Sequence, residues 1–113
     1  DQNLIVSNSE LANWQIDKRI STSLTEATLQ AVQNSVLHAG SKAQRALILK
    51  ATESDLKIVI KDNGRGFRPN RIPRGRLGIR VSVISRVEAV GGKVKINSEP
   101  GKGSTIILEW SRP

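Results

Sequence analysis

Asp62-Asn63-Gly64-Arg65-Gly66-Phe67 sets a carboxylate and two glycines at the end of an alternating apolar run. A carboxylate at a glycine-flanked strand end can meet the edge of a ligand that bulkier side chains would keep away. Asn-Gly is also a common hairpin turn, so a plain turn is the competing reading. Upstream, Gln30, Asn34 and His38 fall at i, i+4 and i+8 and share one face of a predicted helix. Downstream, Arg65, Arg68, Arg71, Arg74, Arg76 and Arg80 crowd a segment containing glycine and proline. That cluster reads either as a phosphate contact or as a solvated loop.

The elements that must position these groups follow from period and punctuation. Residues 1–10 carry no clear period and are expected to form a partly disordered lead-in, with the domain proper spanning 12–113. Trp14 to Ile20 alternates weakly, as a short strand would. Ser21, Thr22 and Ser23 offer helix N-caps, with Glu26 as capping-box partner of Ser23. A helix over Leu24 to Ala39 follows, whose stripe Leu24, Ala27, Thr28, Ala31, Val32, Ser35, Val36 and Ala39 is expected to face a core and which Gly40 stops. Gln44 to Thr52 and Leu56 to Asp62 read as two strands joined by a short polar turn, an antiparallel hairpin. Gly64 to Leu77 is an irregular loop holding Pro69 and Pro73. Ile79 to Val90 places Ile79, Val83, Ile84, Val87 and Val90 on one helical face, against a β-branched content that disfavours a helix. Lys93 to Ser98 and Ser104 to Trp110 complete the order as strands around a Pro-Gly turn. Helices this few fit an α+β two-layer sandwich: a mixed, mostly antiparallel sheet with helices on one face and a ligand-sized gap under the long loop.

A chain of 113 residues has the size of one domain. With 37% hydrophobic residues, its core must come from Ile, Leu, Val and Ala, with Trp14, Phe67 and Trp110 as isolated large pieces. No cysteine is present, which excludes disulfides and thiolate metal sites, and one histidine argues against a histidine metal cluster. The formal charge of +8 favours anionic partners without choosing among them. Nucleic acid is the weaker choice, since aromatics for base stacking are few and no helix-turn-helix pair is evident. No apolar run is long enough to span a bilayer and no signal pattern opens the chain, so a cytoplasmic location is expected, either as a soluble protein or as the cytoplasmic part of a larger, membrane-anchored one, with no direct membrane contact by this domain.

Four segments in this order resemble the boxes of the ATP-binding domain of bacterial two-component sensor histidine kinases, within the GHKL ATPase superfamily. Gln30 to Ala39 is similar to the N box, Glu-x-x-x-Asn-x-x-x-His-Ala; Asp62 to Phe67 to the G1 box, Asp-x-Gly-x-Gly-Phe. Arg76-Leu77-Gly78-Ile79-Arg80-Val81-Ser82, with Gly91-Gly92 beyond, resembles the second glycine box and its helix, and Ser98 to Ser104 the closing Ser-x-Pro-Gly-x-Gly-Thr box. The resemblance covers roughly residues 12–110 and implies a Bergerat-type ATP-binding fold with a lid at about 67–77.

It implies ATP and Mg²⁺ as cofactors, and phosphoryl transfer to a histidine on a separate dimerisation domain of the same parent and then to a response regulator. Asp62, an acceptor when ionised, would read the exocyclic amino group of adenine. Gly64 and Gly66 would let backbone approach base and sugar, and Asn34 would hold Mg²⁺ through its amide oxygen. His38 would frame the phosphate side or serve structure alone. Gly78, at a helix start, and Arg76 would meet phosphate, and Ser104, in place of Thr, would keep a hydroxyl near the adenine. Two positions depart. Gln30 stands where relatives carry Glu, and a carboxamide cannot act as a general base; Arg76 stands where the commoner box has Gly. A nucleotide-binding or signalling module without catalysis is therefore the alternative, and the fragment alone, lacking an acceptor, is expected to have little kinase activity.

Overall fold

In a computed structural model the described residues are 4–8, 17–52, 54–68 and 79–113, with 4–8 and 79–81 described as backbone alone. Five strands form one sheet in the order β1-β2-β3-β5-β4: β1 Leu4–Asn8, β2 Arg45–Ala51, β3 Asp55–Asp62, β4 Lys93–Ser98 and β5 Ser104–Ser111. β1 pairs parallel with β2 and every other pair is antiparallel. Against one face lie α1, Lys18–His38, and a shorter helical unit made of a π-helical segment, Ile79–Ile84, continued by α2, Ser85–Ala89. The expected α+β two-layer sandwich, with a mixed sheet and helices on one face, is what forms.

Alternation along the strands builds the core. Leu47, Ile60, Ile106 and Ile96 form one cross-strand row, and Leu49, Ile58, Leu108 and Val94 the next. All of these belong to the cluster that packs with Leu24, Ala27 and Ala31 of α1 and with Val83 and Val87 of the second helical unit. Small residues on α1 let the helix lie close to the sheet, and Val83 and Val87, fully buried, fill the layer beside it. Trp110 closes the far end, its Nε1 donating to the Val90 carbonyl at 2.9 Å.

Three elements differ from expectation. The lead-in contains a strand, β1, whose partner lies more than thirty-five residues away; so remote a parallel pairing leaves no local period to read. The weak alternation over 14–20 ends in helix at Lys18 because Asp17 is the N-cap, its carboxylate accepting from the Arg19 amide at 2.7 Å; residues 14–16 lie outside the described set. Ser23, expected as a cap, instead donates across the layer to the Arg86 carbonyl at 3.2 Å. Over 79–84 the helix widens to π geometry, in a run whose β-branched side chains would crowd the preceding turn of an α-helix. Among the described residues no helix is long and apolar enough to cross a membrane.

Candidate functional site

The apolar ladder of the sheet ends in a polar row. In register across four strands stand Arg45, Asp62, Ser104 and Ser98, each following the inward alternation of its strand. Over this row lies the last part of α1. Ser35, buried, donates its hydroxyl to Asp62 Oδ2 at 2.8 Å and accepts from Arg45 Nε at 2.9 Å. Asp62 Oδ1 accepts the Gly64 amide at 2.9 Å. Both carboxylate oxygens are thus tied to the protein, while the residue stays half-buried at the strand end. Arg45 is 6% exposed, a charge kept inside by its hydrogen bonds.

Beyond Asp62 the chain threads between α1 and the β4–β5 turn. The Arg65 amide donates to the Ala39 carbonyl at 2.9 Å, and the Gly101 amide to the Arg65 carbonyl at 2.6 Å. The Phe67 amide donates to Ser98 Oγ at 2.8 Å, which anchors the buried phenyl ring. The glycines of this path leave no room for a side chain: a Cβ on Gly64 would lie 2.3 Å from the Ala39 carbonyl oxygen. One on Gly66 would lie 1.9 Å from that of Glu99, and one on Gly103 2.1 Å from that of Asp62. The hexapeptide is therefore a tight passage at the strand end, and its glycines are required by backbone packed on backbone.

Of the residues singled out in the sequence, Asp62, Gly64, Gly66 and Ser104 come together at this end of the sheet. Ser104 is buried, its hydroxyl 3.0 Å from that of Ser98. Asn34 and His38 lie half-buried on the part of α1 that carries Ser35, and Gln30 sits one turn earlier, also half-buried. Glu26, the nearest carboxylate on α1, is drawn to Arg86 at 3.3 Å on the second helical unit. Arg76, Gly78 and most of the expected lid lie outside the described residues. A cleft of about 340 Å³ borders Asp62, lined by Gln44, Arg45, Lys61, Asn63 and Thr105 among others. Lys61 and Thr105 follow the outward alternation, so this is a separate opening from the expected gap between the layers. Among the described residues no group of three His, Cys, Asp or Glu side chains converges to hold a metal.

The sequence alone assigns no site contact to Ser35 or Arg45, and marks Ser98 only as the first residue of the closing box. Arg45 did carry a signal: it heads a strand in which Leu47 and Leu49 point inward, so period two places its charge on the core face. Ser35 sits in the sequence as a small member of the apolar stripe, and only the contact with Asp62, 27 residues away, gives its hydroxyl a task.

Comparison with known proteins gives the family and the fold. Residues 20–113 match the family described as histidine kinase-, DNA gyrase B-, and HSP90-like ATPase. The signal transduction histidine-protein kinase/phosphatase DegS of Brevibacillus brevis is 30% identical over 92 residues, 80% of this chain and 23% of its own length. Sensor histidine kinase LiaS of Bacillus subtilis is 29% identical over 98 residues, 86% of this chain and 26% of its own. The chain thus spans about a quarter of these relatives. Among solved structures, the histidine kinase domain of the Erythrobacter litoralis EL346 blue-light activated kinase superposes with TM-score 0.72 at 16% identity, covering 94% of this chain and 49% of that one. The catalytic domain of histidine kinase ThkA gives 0.70 at 14% identity, over 96% and 78%. With a family match over most of its length and the same fold in those structures, the chain belongs to the histidine kinase-, DNA gyrase B- and HSP90-like ATPases.

Proposed function

We propose that this chain is the catalytic domain of a sensor histidine kinase, binding Mg·ATP for phosphoryl transfer to a histidine on a separate dimerisation domain and onward to a response regulator in the cytoplasm. The observation that carries the reading is Asp62: a carboxylate at a strand end, tied by Ser35 and Gly64, beside a passage whose glycines admit no Cβ. Such a group accepts from the amino group of adenine and repels the carbonyl that guanine presents at the same edge. Gly64 and Gly66 let the chain beside Asp62 pass between Ala39 and Glu99, which fixes the strand end that carries the carboxylate, and Ser104 offers a hydroxyl on the same row. Asn34, half-buried one residue before Ser35, would supply an amide oxygen to Mg²⁺, an ion that takes few protein ligands and keeps its waters. His38 would line the phosphate side with Arg76 and the Gly78 amide. The metal supplies charge stabilisation on the phosphates, and the protein's part is positioning.

A second reading, a nucleotide-binding module without transfer, is favoured by one pair of facts. Gln30 cannot serve as a base, and Glu26 is held toward Arg86. Titration of the purified domain with Mg·ATP, Mg·ADP and Mg·GTP at two salt concentrations tests the site. Adenine nucleotides are expected to bind in preference to GTP with modest salt dependence. Equal binding of all three, or binding that collapses with salt, would indicate a polyanion patch instead.

A further inference from the structure

We infer that Ser35 and Arg45 form a positioning relay that sets the base selectivity of Asp62, an inference that rests on the nucleotide reading above. Arginine has donors and no acceptor, so the 2.9 Å contact from Arg45 Nε to Ser35 Oγ has only one direction. The single hydroxyl proton of Ser35 is then committed to Asp62 Oδ2 at 2.8 Å. The Gly64 amide holds Oδ1 at 2.9 Å. Aspartate's terminal torsion is otherwise broad, and two donors on opposite oxygens fix its plane. An ionised carboxylate accepts about four hydrogen bonds, so each oxygen keeps capacity for an incoming N–H. The relay leaves the Asp62 carboxylate itself with acceptors and no donor, so a purine carbonyl that meets it faces only oxygen. Arg45, buried in the neighbouring strand and in register with Asp62, selects the base without touching it.

A purely structural tie between α1 and the sheet would stabilise the fold and leave selectivity alone, which separates the two roles. The test compares Mg·ADP with Mg·IDP, whose inosine ring carries a carbonyl where adenine has its 6-amino group, by calorimetry on the purified domain. Thermal midpoints are recorded alongside. Ser35→Ala is expected to weaken ADP about tenfold, the order of one hydrogen bond to a charged group, and IDP by less than about twofold. Ser35→Thr, which keeps the hydroxyl, restores most of the ratio, and Arg45→Lys gives an intermediate loss. An ADP-to-IDP ratio unchanged in Ser35→Ala and Arg45→Lys overturns the relay, whatever the midpoints do. Should Ser35→Ala fail to fold, the ratio in Arg45→Lys decides alone. Absence of ADP binding by the wild-type domain overturns the nucleotide reading and the relay with it.

Discussion

In the proposed reading Asp62 carries recognition of the base, and its environment makes one substitution informative. In Asp62→Asn one carboxylate oxygen becomes an NH₂ donor. The oxygen can still face the Gly64 amide, but the NH₂ then meets a Ser35 hydroxyl that already accepts from Arg45. The hydroxyl proton loses its acceptor and the edge loses its charge. ATP affinity is expected to fall by at least about tenfold while circular dichroism keeps the folded signature; unaltered affinity by calorimetry would remove Asp62 from the adenine role. Asn34→Ala should leave nucleotide binding largely independent of Mg²⁺, checked by titration with and without EDTA, and a dependence that persists would place the metal elsewhere. Gln30→Glu restores a carboxylate one turn before Asn34. The initial rate of phosphorylation of a supplied dimerisation domain is expected to rise, and an unchanged rate would mark position 30 as outside the chemistry.

At the scale of elements, the G1 passage and the β2–β3 hairpin carry separate predictions. Gly64→Ala drives a methyl to 2.3 Å from the Ala39 carbonyl oxygen, which also accepts the Arg65 amide, so α1 and the passage must part. A loss of more than about 2 kcal/mol in chemical denaturation is expected, against about 1 kcal/mol for Gly91→Ala, where strain is backbone alone because nothing lies within 4 Å. At the other end of β3, Asp55 accepts from Ser111 Oγ at 2.6 Å and from Ser54 Oγ at 3.1 Å. These bonds, Ser111's foremost, hold its pKa below the usual 3.8. A lowered pKa gives stability that is present above the unfolded value and lost as pH falls through the folded one. Asp55→Asn should therefore flatten the acid limb of the stability curve below about pH 4, and an unchanged limb would deny the carboxylate that part. Strands β2 to β5 were legible to within a residue or so, since each alternates and ends at turn residues. β1 was not, because a short parallel edge strand is specified by its partner, and the start of α1 was not, because Asp17 also fitted a weak alternation. At the site, Asp62 and its glycines were legible because their backbone demands show in residue type. Ser35 was not, because a serine in an apolar stripe acquires meaning only from what lies opposite.

For the molecule as a whole, nucleotide binding and folding should be one linked equilibrium. The site has no rigid half of its own: Asp62 and Ser104 belong to the sheet, Ser35 and Asn34 to α1, and the Gly64 passage is clamped between Ala39 and the β4–β5 turn. Unfolding scatters all of these groups, so a ligand that bridges them binds the native state alone. At a free Mg·ADP concentration a hundredfold above Kd the native state gains about 2.7 kcal/mol. For a chain of this size that corresponds to a rise in thermal midpoint on the order of 10 °C, readable by differential scanning calorimetry. Binding through the surface charge of +8 has a different signature, since basic residues attract polyanions in the unfolded chain as well. A DNA duplex at matched phosphate concentration should therefore shift the midpoint little, and what shift it gives should vanish in higher salt. Asp62→Asn should abolish the Mg·ADP shift and leave the response to DNA as it was. A variant that kept the full Mg·ADP shift would locate binding on the basic surface and detach it from the polar row where sheet and helix meet.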